Sequence, residues 1–492
     1  MKHFILAAVL TVCILSAASC GKNGSGEVSV TPTPTPTKGL TVLQNWDSDV
    51  PTPSVPVRNL GGITVTVADW WSGEDWNLAN NAYETAFFDM LREFEKESNF
   101  SFERKNAGFG NGEEYAAKIG EAIQANNPPG DVIAVPLSNI GTLLRDGCLL
   151  DVTASESVSW DDEEKWKHHN GITDFLNFNG KQYGFDWEEN EPGLGVFFNK
   201  ELLTKAGIDS KLLYDLQRMH GATDYYEPDA AASKWTWEAF LDICERLKEA
   251  GLGDDIAIAA GQDAQVVYGA LLSNGTNIIE KDEQGLLRVN GADTPAVREA
   301  LTFAAELKKR GYLSSMSEEE SRQAFVEGKA VFLIAEEQIS TKVGTDGNEE
   351  FGFVCFPFGP TQGRLTSIVL NDVAYFVPNC ASSRENEEAI LYAFDCYTNH
   401  PECMDGDSYY AHSEWRSKYD WRYADETAIT DTLYAMVEYD TVPIAMNATV
   451  LLADFDHSWT AEIMNGGNID EVLNAHLADW TAQVEAFNKL FT

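Results

Sequence analysis

Hydrophobic and polar positions along the chain follow two patterns, one typical of buried strands and the other of amphipathic helices. The runs 63–67 and 131–135 are β-branched or almost wholly apolar, and both are predicted strands. Between them the pattern predicts a helix through Tyr83, Phe87, Met90 and Phe94, a short strand at 100–103 and a second helix through Ile119. This alternation predicts a parallel sheet with helices on both faces.

The second half of the chain is richer in helices but continues the alternation. Thr294 and Pro295 are expected to begin a helix that Gly311 ends. Ser382 and Glu385 have the spacing of a capping box at the start of another helix. Three further strands are predicted at 330–334, 351–358 and 367–377. The sequence therefore predicts an α/β protein with several sheet segments.

The first 60 residues are predicted to export and tether the protein. Residues 1–19 have a positive start, an apolar run and a small-residue site, as in a secretory signal. The site directly precedes Cys20 and resembles a bacterial lipobox, whose cysteine is lipidated; an ordinary signal peptide with an incidental cysteine is the alternative. Residues 20–60 are rich in Gly, Ser, Thr and Pro, which favours an extended spacer. We expect a lipid-anchored protein at the outer face of the bacterial cytoplasmic membrane.

Charge and cysteine content narrow the possible partners. The chain has 35 Lys and Arg against 78 Asp and Glu, a formal net charge of −43. This charge argues against nucleic acid and against an anionic membrane surface as partners. The ligand is therefore expected to be neutral or cationic. The few cysteines beyond Cys20 do not form a disulfide scaffold, and Cys244 is predicted to be a buried thiol on a helix face.

Two motifs suggest cofactors but fail in detail. The glycines of 108–112 lie between a strand and a helix, yet Glu113 stands where a dinucleotide-binding motif needs its third glycine. Cys396, His400 and Cys403 have a spacing that could gather metal ligands, but Pro401 interrupts that helix. We therefore expect neither a cofactor nor a metal.

Acidic residues crowd the segment 186–191, and paired carboxylates can hydrolyse glycosides. In a chain with 78 acidic residues such crowding is expected by chance. The nucleophile motif of the α/β-hydrolases is also missing from the sequence. A surface glycoside hydrolase remains an alternative without positive support.

The positions of several tryptophans along the chain are less typical of core residues. Of the 13 in the chain, Trp70, Trp71 and Trp187 follow strands or fall in loops rather than on helix stripes. Ligands of parallel sheets bind beyond the carboxyl ends of the strands. Aromatic faces can stack on sugar rings there while neighbouring carboxylates and amides accept hydroxyl protons. As a group, these tryptophans indicate binding rather than core packing.

The order of several motifs resembles a known family from about Ile63 to the C-terminus. The motifs are Asn126–Val132, Gly180–Phe185 with Val196–Lys200, Leu203–Ile208, Trp235–Phe240, Thr294–Leu301 with Gly311, and Phe325–Ala330. In this order they resemble the family 1 extracellular solute-binding proteins, which are sugar-binding lipoproteins of ABC importers.

The resemblance implies a bilobal fold of the periplasmic-binding-protein type II, with two α/β lobes, a hinge and a cleft between the lobes. It implies a first lobe of 61–188 plus 345–378 and a second of 194–336 plus 383–492, with 212–233 and 405–425 inserted. By position in the family's loops, the predicted ligand-binding residues are Trp70, Trp71, Glu74, Asp186, Trp187, Glu188, Gln262, Asp263, Glu336, Glu337, Asn371 and Asp372.

The resulting hypothesis is a monomeric receptor that performs no chemistry. It would capture a carbohydrate outside the cell and deliver it to the permease subunits of an ABC transporter. A receptor for a cationic solute, such as a polyamine or a basic peptide, is the alternative that the acidity favours. The sequence leaves open which sugar binds, its length and the identity of the permease.

Overall fold

The computed structural model describes residues 57–73, 75–79, 82–110, 114–158, 170–186, 191–219, 229–345, 351–399, 419, 422–425, 427–437 and 443–492. The strands are β1 (Ile63–Asp69), β2 (Phe100–Asn106), β3 (Val132–Pro136), β4 (Asn177–Phe178), β5 (Lys181–Gln182), β6 (Leu194–Asn199), β7 (Ala257–Gly261), β8 (Ile279–Lys281), β9 (Leu287–Val289), β10 (Leu313–Ser315), β11 (Ala330–Glu336), β12 (Phe351–Cys355), β13 (Ser367–Val369), β14 (Val373–Phe376) and β15 (Ile444–Met446).

The helices are α1 (Ala82–Ser98), α2 (Tyr115–Gln124), α3 (Leu137–Arg145), α4 (Asn170–Phe175), α5 (Lys200–Lys205), α6 (Lys211–Gln217), α7 (Trp237–Glu249), α8 (Asp263–Ser273), α9 (Pro295–Lys309), α10 (Glu318–Val326), α11 (Ser340–Thr345), α12 (Ala381–Tyr397), α13 (Tyr434–Val437), α14 (Ser458–Met464) and α15 (Ile469–Asn488). Short 3-10 turns cover Ala230–Ala232, Glu337–Ile339 and Ala448–Leu451, and a π-helical turn covers Ala428–Leu433. Among the described helices, none combines the length and the apolar character that crossing a membrane requires.

Two separate sheets organise the chain into two α/β lobes, as predicted. The first lobe contains a four-stranded sheet in the order β14-β3-β1-β2, and the second a five-stranded sheet in the order β10-β7-β11-β6-β12. In the first sheet β1, β2 and β3 are parallel and β14 is antiparallel to β3. In the second sheet β7, β10 and β11 are parallel and β6 is antiparallel to β11. Strand β6 opens the second sheet and β14 is the strand with which the chain returns to the first, so the chain crosses between the lobes more than once.

Two segments lie in the lobe opposite to the predicted one. Strand β12 was expected in the first lobe, but it pairs with β6 in the second sheet, where its apolar side chains pack; the Phe353 and Phe197 ring centroids are 4.5 Å apart. Helix α12 was expected in the second lobe. It packs instead on the first sheet, where Ile390, Leu391 and Phe394 join Val65 and Val67 in one apolar cluster. A short connection from β14 keeps this helix beside the sheet that the chain has just re-entered.

Other local predictions have mixed outcomes. The helix expected at Pro295 begins there, and Gly311 follows it with a positive φ of 73°. The single strand predicted over 367–377 is wrong, because β13 pairs with β15 while β14 pairs with β3 in a different sheet. The capping box predicted at Ser382 is also wrong, since α12 already begins one residue earlier.

The two lobes also meet through a helix of the first lobe and a turn near the C-terminus. Helix α3 of the first lobe packs against the turn Ala448–Leu451, and the apolar cluster is continuous across this contact. A Cβ added to Gly141 would lie 2.7 Å from the Leu451 carbonyl oxygen, so glycine is what lets the helix and the turn approach closely. Cys244 is a buried free thiol, as predicted, and so are the other four cysteines in the described residues.

Candidate functional site

The loop that follows β1 forms the aromatic part of the candidate site. Trp70 and Trp71 lie at the carboxyl end of a central parallel strand, where ligands of such sheets bind. Both side chains are partly exposed. Their rings are 4.6 Å apart and nearly perpendicular, at 81°. The two indoles therefore present two faces at right angles.

The backs of these two rings are supported by buried neighbours. The Trp70 ring packs edge-on against Tyr115, with the ring centroids 5.4 Å apart. Tyr115 is fully buried and donates a hydrogen bond of 2.9 Å to the Ala134 carbonyl oxygen in β3. The Trp71 ring has the Arg104 guanidinium 5.6 Å from its centroid. These contacts restrict both indoles to one arrangement.

Polar side chains occupy the corresponding strand ends of the second sheet. Gln262 follows β7, and its amide Nε2 lies 3.5 Å from a carboxylate oxygen of Glu318. Glu336 ends β11, and the charge of Glu318 acts on its carboxyl group. Burial raises the pKa of Glu318, and burial together with the Glu318 charge raises the pKa of Glu336 to about 7. This part of the second lobe can therefore offer both hydrogen-bond donors and acceptors.

Glu336 also joins the two lobes. Its Oε1 accepts a hydrogen bond of 3.3 Å from the backbone N–H of Asn371, which leads into β14 of the first sheet. The Asn371 side-chain oxygen accepts a bond of 3.0 Å from the backbone N–H of Ser138, at the start of α3. The Asp372 carbonyl oxygen accepts the N–H of Leu137 at 2.7 Å. The residues around Asn371 thus connect the strand ends of both sheets.

The carboxylates of Asp263 and Glu337 are engaged within the second lobe. Asp263 forms an ion pair of 3.1 Å with Lys308 and accepts a hydrogen bond from Ser315. Glu337 is 1 % exposed and accepts bonds from Ser340 Oγ at 2.6 Å and from Tyr423 Oη at 2.9 Å. Arg422 Nη1 lies 3.3 Å from the other Glu337 oxygen. These contacts leave both carboxylates with structural partners.

Comparison with known proteins identifies the family of this chain. The family model described as bacterial extracellular solute-binding protein matches residues 89–402. The match includes most of both lobes. This chain is a bacterial extracellular solute-binding protein. No curated protein matches the sequence significantly.

Solved structures of low sequence identity share the fold of this solute-binding protein. The cyclic α-maltosyl-1,6-maltose binding protein from Arthrobacter globiformis is 16% identical with a TM-score of 0.56, over 88% of this chain and 99% of its own. The galacto-N-biose-/lacto-N-biose I-binding protein from Bifidobacterium longum is 14% identical with a TM-score of 0.55, over 87% and 98%. The protein Lmo0181 from Listeria monocytogenes is 14% identical with a TM-score of 0.50, over 87% and 98%. These likenesses confirm the predicted bilobal fold.

The structure brings together some of the predicted site residues of this solute-binding protein. Glu336 contacts Asn371 directly, and Gln262 is joined to them through Glu318. In the first sheet one strand, β3, lies between β1, which Trp70 follows, and β14, which Asn371 precedes. β1 and β14 are therefore two strand spacings apart, on the order of 10 Å. A ligand of about this length could therefore contact both groups.

Asp186 lies at the edge of the first sheet. Phe185 forms an antiparallel bridge with Tyr375 in β14. Because the two segments run in opposite directions, Asp186 lies toward the start of β14, next to Asp372. Asp186 is buried, and its backbone N–H donates to Thr173 Oγ1 at 3.1 Å. The other predicted site residues, Glu74, Trp187 and Glu188, lie outside the described residues, as does the predicted lipidation site Cys20.

Residues that the sequence did not single out also shape the site. Asp69 and Arg104 hold the tryptophan loop, while Ser138 and Glu318 extend the polar side. The register of β1 and β2 places Asp69 opposite Asn106, two residues beyond Arg104, but a single sequence does not reveal this pairing. Cys396, one of the three possible metal ligands considered from the sequence, is buried in α12. The other two, His400 and Cys403, lie outside the described residues.

Proposed function

We propose that this protein captures an oligosaccharide outside the cell and delivers it to the permease of an ABC transporter. The observation that carries the proposal is the pair Trp70 and Trp71 at the strand ends of the first lobe, with carboxyl and amide groups at the strand ends of the second. Indole faces stack on the C–H faces of sugar rings, and carboxylates and amides exchange hydrogen bonds with sugar hydroxyls. Each lobe thus supplies one of the two interactions that a sugar needs.

The similar solved structures support this ligand class. By their names, the proteins from Arthrobacter globiformis and Bifidobacterium longum bind oligosaccharides, and the one from Listeria monocytogenes is in complex with cycloalternan. The one from Bifidobacterium longum belongs to an ABC transporter. A neutral ligand also fits a chain whose net charge of −43 is spread over the whole sequence.

Binding without catalysis and anchoring through lipid complete the proposal. The protein acts as a monomer that closes its lobes over the ligand, and the permease recognises the closed state. Lipidated Cys20 and the tether of 20–60 hold the lobes at the outer face of the cytoplasmic membrane.

A fluorescence titration of the purified protein tests the ligand class. Maltotetraose, a neutral oligosaccharide, is expected to change the tryptophan fluorescence saturably and to remain chemically intact. Spermidine is the cationic probe, and a saturable response that weakens with rising salt would favour the cationic-solute alternative. Release of reducing ends from maltotetraose would instead favour a glycoside hydrolase. No response to a panel of neutral oligosaccharides would contradict the proposal.

A further inference from the structure

A fully buried carboxylate lies directly beneath the tryptophan loop. Asp69 is 0 % exposed, and its Oδ1 accepts the backbone N–H groups of Trp71 at 3.0 Å and of Ser72 at 2.6 Å. Its Oδ2 accepts the Ser72 hydroxyl at 2.6 Å and forms an ion pair of 2.9 Å with Arg104. One side chain therefore fixes the backbone of the loop and a cation at the same time.

The cation connects this carboxylate to the indole. Arg104 donates from both Nε and Nη2 to Asp69, and its Nη1 donates to Tyr397 Oη at 3.1 Å. The guanidinium held in this way lies 5.6 Å from the centroid of the Trp71 ring. A planar cation against an aromatic face is an attractive contact. The orientation of Trp71 thus depends on where Asp69 holds Arg104.

We propose that Asp69 is the positioning residue of the ligand site, because it fixes Trp71 in the orientation that receives a sugar ring. This inference rests on the proposed function, since it assigns a role within the same site. Asp69 acts through Trp71 and does not contact the ligand. Fixing a side chain before binding removes the entropy cost of ordering it, which corresponds to about three- to tenfold in affinity.

The substitution Asp69→Asn removes the negative charge while keeping the size and shape of the side chain. Asparagine can still accept a backbone N–H through its Oδ1, but the Nδ2 that takes the place of Oδ2 is a donor and cannot accept from the Arg104 guanidinium. The matched control is Asp131→Asn. Asp131 also accepts a backbone N–H, that of Thr66 at 2.9 Å in the same sheet. Among the described residues, no hydrogen bond or ion pair joins Asp131 to a tryptophan.

Circular dichroism of the ligand-free protein reads the orientation of the indoles. Two indoles in contact couple their electronic transitions, and the signal depends on the angle between them. Trp459 and Trp480 form a second pair, 5.6 Å apart, so the contribution of the first pair is obtained by subtracting the spectrum of Trp71→Phe. Asp69→Asn should reduce this difference signal, and Asp131→Asn should leave it unchanged.

Affinity for maltotetraose supplies the second readout. Asp69→Asn and Arg104→Gln should each weaken binding about three- to tenfold, and the double variant should lose no more than either single one, because both act through one contact. Asp131→Asn should bind like the natural protein. If Asp69→Asn does not fold, Arg104→Gln carries the same test.

Unchanged dichroism and affinity in Asp69→Asn, or in Arg104→Gln in its place, would overturn the inference. Fully additive losses in the double variant would overturn it as well. If the natural protein binds no oligosaccharide, the proposed function fails, while the dichroism still reports whether Asp69 orients Trp71.

Discussion

The strand-end loops of the two lobes differ in what they present and in what holds them. In the first lobe the loop after β1 presents two indoles, and a buried ion pair beneath them fixes the loop. In the second lobe the strand ends present carboxyl and amide groups, of which Glu337 is held by an ion pair and Gln262 and Glu336 by hydrogen bonds. We therefore expect the first lobe to supply stacking surfaces and the second to supply hydrogen bonds.

Two neighbouring glutamates of the second lobe, Glu336 and Glu337, have different surroundings. Glu336 and Glu337 are adjacent, but Glu336 ends β11 while Glu337 begins the following 3-10 turn, and their side chains have different partners. Glu337 points into the protein, where Arg422 and Tyr423 hold it. Glu336 ends on the side of Asn371 and Glu318, with no cation among the partners described above. We therefore expect Glu336, rather than Glu337, to exchange hydrogen bonds with a ligand.

The largest expected effect is the loss of the buried Glu337 carboxylate. Glu337→Ala should lower the free energy of unfolding by about 3–5 kcal/mol, because it removes the carboxylate that faces the charge of Arg422. Urea unfolding measures this change. The control is Glu201→Ala, which removes an exposed pair with Lys205 and should cost less than about 1 kcal/mol. Full stability with lost affinity would show that Glu337 faces the ligand after all.

Next in size is the loss of a stacking surface in the first lobe. Trp71→Ala should weaken maltotetraose binding at least about tenfold, since an aromatic side chain buried against a ligand contributes ~1.5–3 kcal/mol. Isothermal titration calorimetry measures the affinity. The control is Trp237→Phe, because Trp237 stacks on Phe303 inside the second lobe at 4.4 Å and should affect stability alone. Equal affinity in both variants would remove Trp71 from the site.

A pH dependence should distinguish Glu336 from exposed carboxylates whose pKa is lowered, such as Glu320. Burial, opposed by the Asn371 N–H and reinforced by the charge of Glu318, raises the pKa of Glu336 from 4.5 to about 7. Between these values the folded protein keeps a proton that the unfolded chain releases, so the free energy of unfolding falls as the pH rises through this window.

Urea unfolding at several pH values between about 5 and about 8 tests this dependence. Glu336→Gln should flatten the decline. Glu320→Gln should retain it, because hydrogen bonds from Ser317 lower the pKa of Glu320 and it titrates below the window. Parallel pH profiles for the natural protein and Glu336→Gln would contradict the assignment.

The smallest effect is expected at Asp263. Asp263→Asn should change the free energy of unfolding by less than about 1 kcal/mol, because its pair with Lys308 is partly exposed. Affinity for maltotetraose should stay within about twofold. Gln262→Ala, one residue earlier, should weaken binding more, since its amide lies on the side of Glu318. A larger loss in Asp263→Asn than in Gln262→Ala would reverse these assignments.

Local sequence patterns determined much of the architecture. The β-branched and apolar runs predicted β1, β3 and β11, and apolar residues at helical spacing predicted α9. The same patterns placed Trp70 and Trp71 directly after a strand. These features depend on residues close together in the chain, and hydrophobic periodicity reports them directly.

Tertiary structure alone decided which residues share a site and which lobe each segment joins. The run 367–377 reads as one strand, yet its two halves pair with β15 and β3, which belong to different sheets. Asp69 becomes a positioning residue because Arg104 lies across a sheet pairing, and Glu337 becomes structural because Arg422 reaches it from a distant segment. The partner of a buried charge is set by packing between elements, and a single sequence carries no periodic signal for it.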